Sequence, residues 1–164
     1  MKSKPYASED WLKSPVKTEI GTLWLGGLLR GNHSIPTDNM RILGKYALVL
    51  VLKGNVYYKD PVNSMTHLRS GDALFVTPNL PHAYGSRDDR PWSQVYAVFD
   101  GPQFDLLQQS PTMTRSQPVW SPQNAESWHT RLKSVLQEPE TGQAAHQLRT
   151  LGHFVELMIE MLTA

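Results

Sequence analysis

The segment Gly71–Tyr84 reads GDALFVTPNLPHAY and places one histidine, His82, just past two prolines. A histidine there is either a metal ligand or a wall residue of a binding cavity. A catalytic metal needs three or four nitrogen or oxygen ligands converging on one point, with a position left open. His33 and His67 stand elsewhere in the chain, and one histidine is not a site. The other reading is a wall residue hydrogen-bonded to a backbone carbonyl or to ligand. Asp88 and Asp89 are adjacent in RDDR, so they point apart or into water and read as a solvated turn. No serine sits in a nucleophile motif, and no glycine-rich phosphate loop occurs. The chain has no cysteine, which excludes disulfides, thiolate metal sites and a cysteine nucleophile.

The elements that must position these residues change texture along the chain. Residues 1–20 are polar and irregular, with isolated Tyr6 and Trp11, and are expected to form an N-terminal arm that docks its aromatics on something else. From residue 21 to about 100 the pattern is of strands. TLWLGGLLR is one candidate, and YALVLVLKG, ended by Gly54, is the strongest. Lys53-Gly54-Asn55 reads as a hairpin turn before NVYYKD, and Ser70-Gly71-Asp72 as a second tight turn between MTHLR and ALFVT. PWSQVYAVFD alternates, with Gln94, Tyr96 and Val98 on one face and Val95, Ala97 and Phe99 on the other. Short strands at roughly ten-residue spacing indicate a sandwich or small barrel.

Residues 101–122 form a connector with four prolines and a short helical turn at FDLLQQ. Ser121-Pro122 is expected to start a helix, with serine as N-cap. Trp128, Leu132, Val135 and Leu136 share one face of it, and a second helix is expected from about Gln143 to Leu162. There Leu148, Leu151, Val155, Met158 and Leu162 form a heptad seam, with Phe154, Leu157 and Met161 as a second stripe. Two readings stand: one broad core-facing face, or one stripe on the barrel and the seam on a second subunit.

Length, at 164 residues, suits one domain with a real core. A net charge of +1 without a run of Lys or Arg gives no electrostatic footprint for nucleic acid. The opening MKSKPYASEDWLK carries no apolar stretch after its lysines, so it does not read as a signal peptide. The longest aliphatic run, Ala47–Leu52, is far short of a membrane span. A cytoplasmic location is the expectation, and Asn32-His33-Ser34 is then a chance match to a glycosylation acceptor.

Strand, Gly54 turn, strand, then Gly71-Asp72, Pro78, Pro81 and His82 together resemble the second half of a cupin barrel. Followed by a helical pair, the pattern resembles the effector-binding and dimerisation domain of AraC-family transcription regulators, over roughly residues 20–162. The fold implied is mainly β, a cupin-like double-stranded β-helix barrel followed by two C-terminal helices. The domain reading is an arm over 1–20, barrel and connector over 21–122, and a helical pair over 123–164. The resemblance implies a small effector in the barrel, an arm that folds over it, and a homodimer through the C-terminal helix, with Leu148, Leu151, Val155, Met158 and Leu162 at the interface. It also implies DNA contact only through a helix-turn-helix domain that would begin where this chain stops, at Ala164. In metal-binding cupins a glutamate would fall at Ala47 and paired histidines near Met40–Leu43; none of these residues ligates a metal, so no metal and no cofactor are expected.

By resemblance to the arabinose-sensing member of the family, Tyr84 in His-x-Tyr-Gly falls on a sugar-contacting tyrosine. Arg41, across a two-residue gap, falls on a sugar-contacting arginine. Gln94 and Tyr96 fall where that protein has a pocket histidine and tryptophan. With His82 and Trp24 these are the candidate ligand-binding residues; Trp92 is a further aromatic candidate. A glutamine facing an apolar interior without a partner is costly, so inside a barrel it implies a wet or ligand-filled cavity. The function expected is effector sensing and dimerisation, with a sugar-like or organic-acid ligand and no catalytic residues. The alternatives are a stand-alone cupin enzyme, which would carry a metal or an acid/base pair, and a filled cupin used only for dimerisation.

Overall fold

The computed structural model describes residues 8–31, 40–63, 65–86, 90–114 and 117–164. Asn32, His33, Asp88 and Asp89 lie outside them, as does the arm before Ser8. Among the described residues ten strands and three helices follow one another: β1 (Glu9–Asp10), β2 (Val16–Thr18), β3 (Gly21–Gly31), β4 (Tyr46–Lys53), β5 (Val56–Lys59), β6 (Thr66–Leu68), β7 (Ala73–Val76), β8 (Ala83–Gly85), β9 (Trp92–Asp100), α1 (Pro102–Gln108), β10 (Val119–Trp120), α2 (Ala125–Leu136) and α3 (Ala144–Thr163).

The strands form two antiparallel sheets. The larger has the order β1-β3-β9-β4-β7-β10, with β2 also on β3; the smaller is β6-β5-β8. Strand β9 lies between β3 and β4 and is the centre of the large sheet. Its alternation divides the interior into two cores. Val95, Ala97 and Phe99 join Leu48 and Leu50 against the helices. Tyr96, Val98 and Trp92 join Val49, Val51, Tyr58, Leu68 and Tyr84 between the two sheets. The helices, the large sheet and the small sheet are thus three layers, and the candidate residues belong to the space between the sheets.

Two turns require glycine. Gly54 has φ +101 and Gly71 has φ +93, a backbone region that L side chains rarely adopt. A Cβ on Gly54 would also come within 2.6 Å of the Trp92 Cβ, so the turn between β4 and β5 is pressed against the start of β9.

Several expectations are corrected. The expected 1–20 arm is, over its described part, sheet: β1 and β2 both pair with β3, Trp11 is only 2% exposed and Val16 is buried. Trp11 docks as expected of an aromatic in the arm: its indole stacks on His129 and lies under the Lys133 ammonium of α2. Helix α2 begins at Ala125 with Asn124 in the left-handed region, not at Ser121. The Ser121 hydroxyl instead donates to Asp72 Oδ1 at 2.6 Å, so it is not available to cap the helix.

The heptad seam of α3 does not face outwards. Leu151 is fully buried and Met158 and Leu162 are 2% and 3% exposed within this one chain, together with Phe154, Leu157 and Met161. The reading of one broad core-facing stripe describes the helix. Phe154 meets Phe99 of β9 at 4.9 Å between ring centroids, and Phe99 meets Phe104 of α1 at 4.5 Å, so one aromatic junction joins α1, α3 and the central strand. Of the expected interface set, only Leu148 and Val155 are half-buried. Leu151→Ala should therefore lower unfolding stability by about 2–5 kcal/mol in urea denaturation, equally at low and high protein concentration. A loss confined to high protein concentration would return Leu151 to a subunit interface.

Candidate functional site

Cross-strand register places the pocket residues. Directly opposed residues of an antiparallel pair share a face of the sheet. Leu29 opposes Gln94, Gly27 opposes Tyr96 and Leu25 opposes Val98; on the other side of β9, Val51 opposes Gln94, Val49 opposes Tyr96 and Ala47 opposes Val98. Gln94 and Tyr96 therefore face the small sheet, not the helices. Across the gap β8 pairs with β5, with Tyr84 opposite Tyr58. Gln94 Nε2 donates to the Tyr84 hydroxyl at 3.2 Å and so bridges the two sheets.

Gln94 is the unusual member. It is 1% exposed, and its Oε1 is buried with no hydrogen-bond partner. The Trp92 Nε1, two residues earlier on the same strand face, is likewise buried and unpartnered. An unmade bond at a buried polar atom costs about 1–3 kcal/mol. Tyr84, Tyr96, Leu29 and Val98 around Gln94 are all half-buried and Leu25 is exposed, so partly exposed side chains surround an amide that is itself closed off.

His82 is a wall residue. It is 1% exposed, its Nδ1–H donates to the Leu80 carbonyl at 3.1 Å, and its ring lies between Tyr58 and Tyr84 at 6.3 and 6.2 Å. Burial, with a further contribution from the Arg41 charge, holds the imidazole below its ordinary pKa despite the bond to Leu80. Arg41 joins His82 through a pair of backbone hydrogen bonds of 2.9 and 3.0 Å, while its own residue is exposed. Behind them the Tyr58 hydroxyl donates to Asp60 Oδ2 at 2.7 Å. Burial opposes ionisation of Asp60, but bonds from Asn63, Tyr58 and the Val62 amide hold its carboxyl below the ordinary value. That group is a structural anchor for the wall.

The sequence did not single out Asp10. It opposes Gly27, which in turn opposes Tyr96, so the three form one row on the inner face. Gly27 is glycine because a Cβ there would meet the Glu9 carbonyl at 2.1 Å; the β1 backbone occupies that space. Burial chiefly, then the charge of Asp10 and the neighbouring Tyr84, push the Tyr96 hydroxyl above its ordinary pKa. The pairing of β1 with β3 was hidden in a two-residue strand that carries no periodic signal.

Trp24 does not join the set. The register of β3 on β9 shifts between Leu23 and Leu25, so Trp24 is the bulge residue. Its Nε1 donates to Asp100 Oδ1 at 2.7 Å, and Lys17 and Lys45 lie over its ring at 5.3 and 5.2 Å. It is held at the sheet end by charge and does not line the space between the sheets. His67 is also elsewhere: it stacks on Tyr57 at 4.7 Å and bonds Asn55 at 2.9 Å. Among the described residues no three of His, Cys, Asp and Glu converge as a metal site would require. A wider depression of about 610 Å3 lies outside the barrel, where the Tyr46 hydroxyl donates to Asp105 at 2.8 Å. It contains neither of the unpartnered atoms on β9.

Two facing antiparallel sheets with flanking C-terminal helices define a cupin-like fold. The family model for the AraC-like ligand binding domain matches residues 36–154, and the chain belongs to that family. No curated protein matches the chain. Solved structures similar to it include a protein of Ralstonia eutropha JMP134 provisionally named a mannose-6-phosphate isomerase, at 16% identity and TM-score 0.44, over 60% of this chain and 89% of that one. Another is an RmlC-like cupin family protein with a double-stranded β-helix fold from Methanocaldococcus jannaschii, at 14% identity and TM-score 0.41, over 64% and 92%.

The lowered pKa of His82 has a definite sign in stability. Its neutral form is favoured in the folded chain, so its contribution is complete above about pH 6.5 and is lost as the pH falls from there through the folded value. Urea unfolding between about pH 7.5 and 5.5 should show a shallower loss in His82→Gln than in the parent. Equal slopes would mean that the imidazole is not held neutral.

Proposed function

We propose that this chain is the effector-sensing domain of an AraC-type transcription regulator, binding a small sugar-like or organic-acid molecule between its two sheets. The observation that carries this reading is the buried Gln94 amide, whose Oε1 lacks a partner on an inner wall that also holds Tyr84 and Tyr96. A ligand hydroxyl or N–H supplies the missing donor, and the tyrosine rings supply faces for its C–H groups. In this reading the domain binds without chemistry, works in the cytoplasm, and reaches DNA through a separate helix-turn-helix domain. It pairs as a homodimer through α3, where Leu148, Val155 and Ile159 are the apolar residues left partly uncovered.

The route from pocket to helices is short. Asp10 belongs to the row that contains Tyr96, whereas the next residue, Trp11, is packed against α2. An effector that engages Asp10 changes the energy of that strand and with it the seat of Trp11. It acts only through different affinity for the two arrangements.

A thermal-shift panel of pentoses, hexoses, alditols and hydroxy acids should give a saturable rise in melting temperature with at least one compound. Gln94→Leu removes the unpartnered amide, so it should leave the unliganded protein as stable or more so, while weakening that compound about ten-fold or more. Asp10→Asn should change its affinity. A compound that stabilises Gln94→Leu as well as the parent would place the site elsewhere.

A further inference from the structure

We propose a second site, separate from the space between the sheets: a cleft for a phosphate group at the end of the β3–β9–β4 sheet. In the register Arg30 opposes Ser93, and Ser93 opposes Lys53. The three side chains therefore form one cross-strand row on one face, with a cation on each side of a serine. Next-but-one strands lie ~10 Å apart, a span that two long basic side chains close around an ion of a few ångströms. This row borders a cleft of about 250 Å3 lined by Arg30, Lys53, Pro91, Trp92 and Ser93. Every polar side chain of that lining offers a donor, and none is a carboxylate.

Two further observations separate the cleft from an ordinary basic surface. Among the described residues neither the Arg30 guanidinium nor the Lys53 ammonium has a hydrogen-bonded or ion-paired partner. The acid that feels the Arg30 charge, Glu9, has its carboxylate held by the Trp11 indole at 2.9 Å. The Trp92 ring, which lines the cleft, is 6% exposed, and its Nε1–H is buried without a partner. The Gly54 turn is pressed against the Trp92 Cα and Cβ, and the ring lies within ordinary contact distance of the Gly31 position. Two cations and a hydroxyl suit a tetrahedral oxyanion of charge near −2, which offers three or four acceptor oxygens, better than a carboxylate with two; the Trp92 ring, which borders the cleft from the inner side, is its reporter. The shared chemistry is that of inorganic phosphate or of a phosphate monoester.

The test is a titration followed through the tryptophan indole N–H signals in nitrogen–proton correlation spectra, with Trp92 assigned from Trp92→Phe. Inorganic phosphate and glycerol phosphate are added separately against sodium chloride at matched ionic strength. A saturable shift of the Trp92 signal is expected with phosphate, and an Arg30→Gln/Lys53→Gln variant should bind about ten-fold or more weakly with its other indole signals unchanged. Saturation by both ligands supports a phosphate-group site; saturation by glycerol phosphate alone supports a site for the ester. A linear response equal to that of chloride with both ligands, or undiminished binding by the double variant, overturns the proposal. Gln94→Leu should bind phosphate like the parent, which keeps this site distinct from the one between the sheets.

Discussion

A strand covered on both faces leaves few of its side chains a route to water, and Trp92, Gln94, Val95, Ala97 and Phe99 of β9 are buried. Apolar residues on its helix-facing side close without residue: Val95 and Phe99 are fully buried and Phe99 is locked between Phe104 and Phe154. On the other side the same strand carries Trp92, Gln94 and Tyr96. Three polar-tipped side chains in alternate positions cannot all be satisfied by a wall of valine and leucine. The small sheet answers part of this demand through Tyr84. The rest is left open, and an open demand in a scaffold this firmly packed is what a binding site is made from.

The small sheet is held in place by polar bonds of its own. Asp60 fastens Tyr58 and the following turn, and Tyr58 and Tyr84 enclose the His82 ring. None of these groups needs a ligand to be satisfied. The wall is therefore rigid, and variation among related domains can be concentrated in the residues of β9 without loosening the frame. The match of the AraC-like ligand binding domain model to residues 36–154 spans this frame, all of α2 and about the first half of α3.

Much of this was legible in the chain. Alternation in PWSQVYAVFD placed Gln94 and Tyr96 on one face, because a period of two is exact along a strand. Which face was inward was not legible, since that depends on partners far away in sequence. The period of α3 was equally clear, but a heptad seam reads the same whether a sheet or a second helix covers it. Trp24 was misread for a local reason: a single bulge residue reverses the alternation that should have set its direction. Trp11 was legible as a docking aromatic, but Asp10 was hidden, since β1 is too short to show any period and owes its place to β3. Ser121 looked like a helix cap until Asp72, close in space but distant in sequence, claimed its hydroxyl.

The two-residue strand β1 has a consequence for how such a domain changes over time. Asp10 and Trp11 are neighbours in the chain but serve opposite sides of the large sheet, so their roles are separated by a single peptide unit. Ser8, which is exposed, can drift in identity at little cost. An insertion or deletion of one residue between Glu9 and Trp11 is another matter. It would exchange the acidic and the aromatic side, turning a carboxylate towards the helix core and an indole towards the pocket. A segment that looks like the least constrained part of the sequence is therefore constrained in its length, by parity, where it is nearly free in its letters.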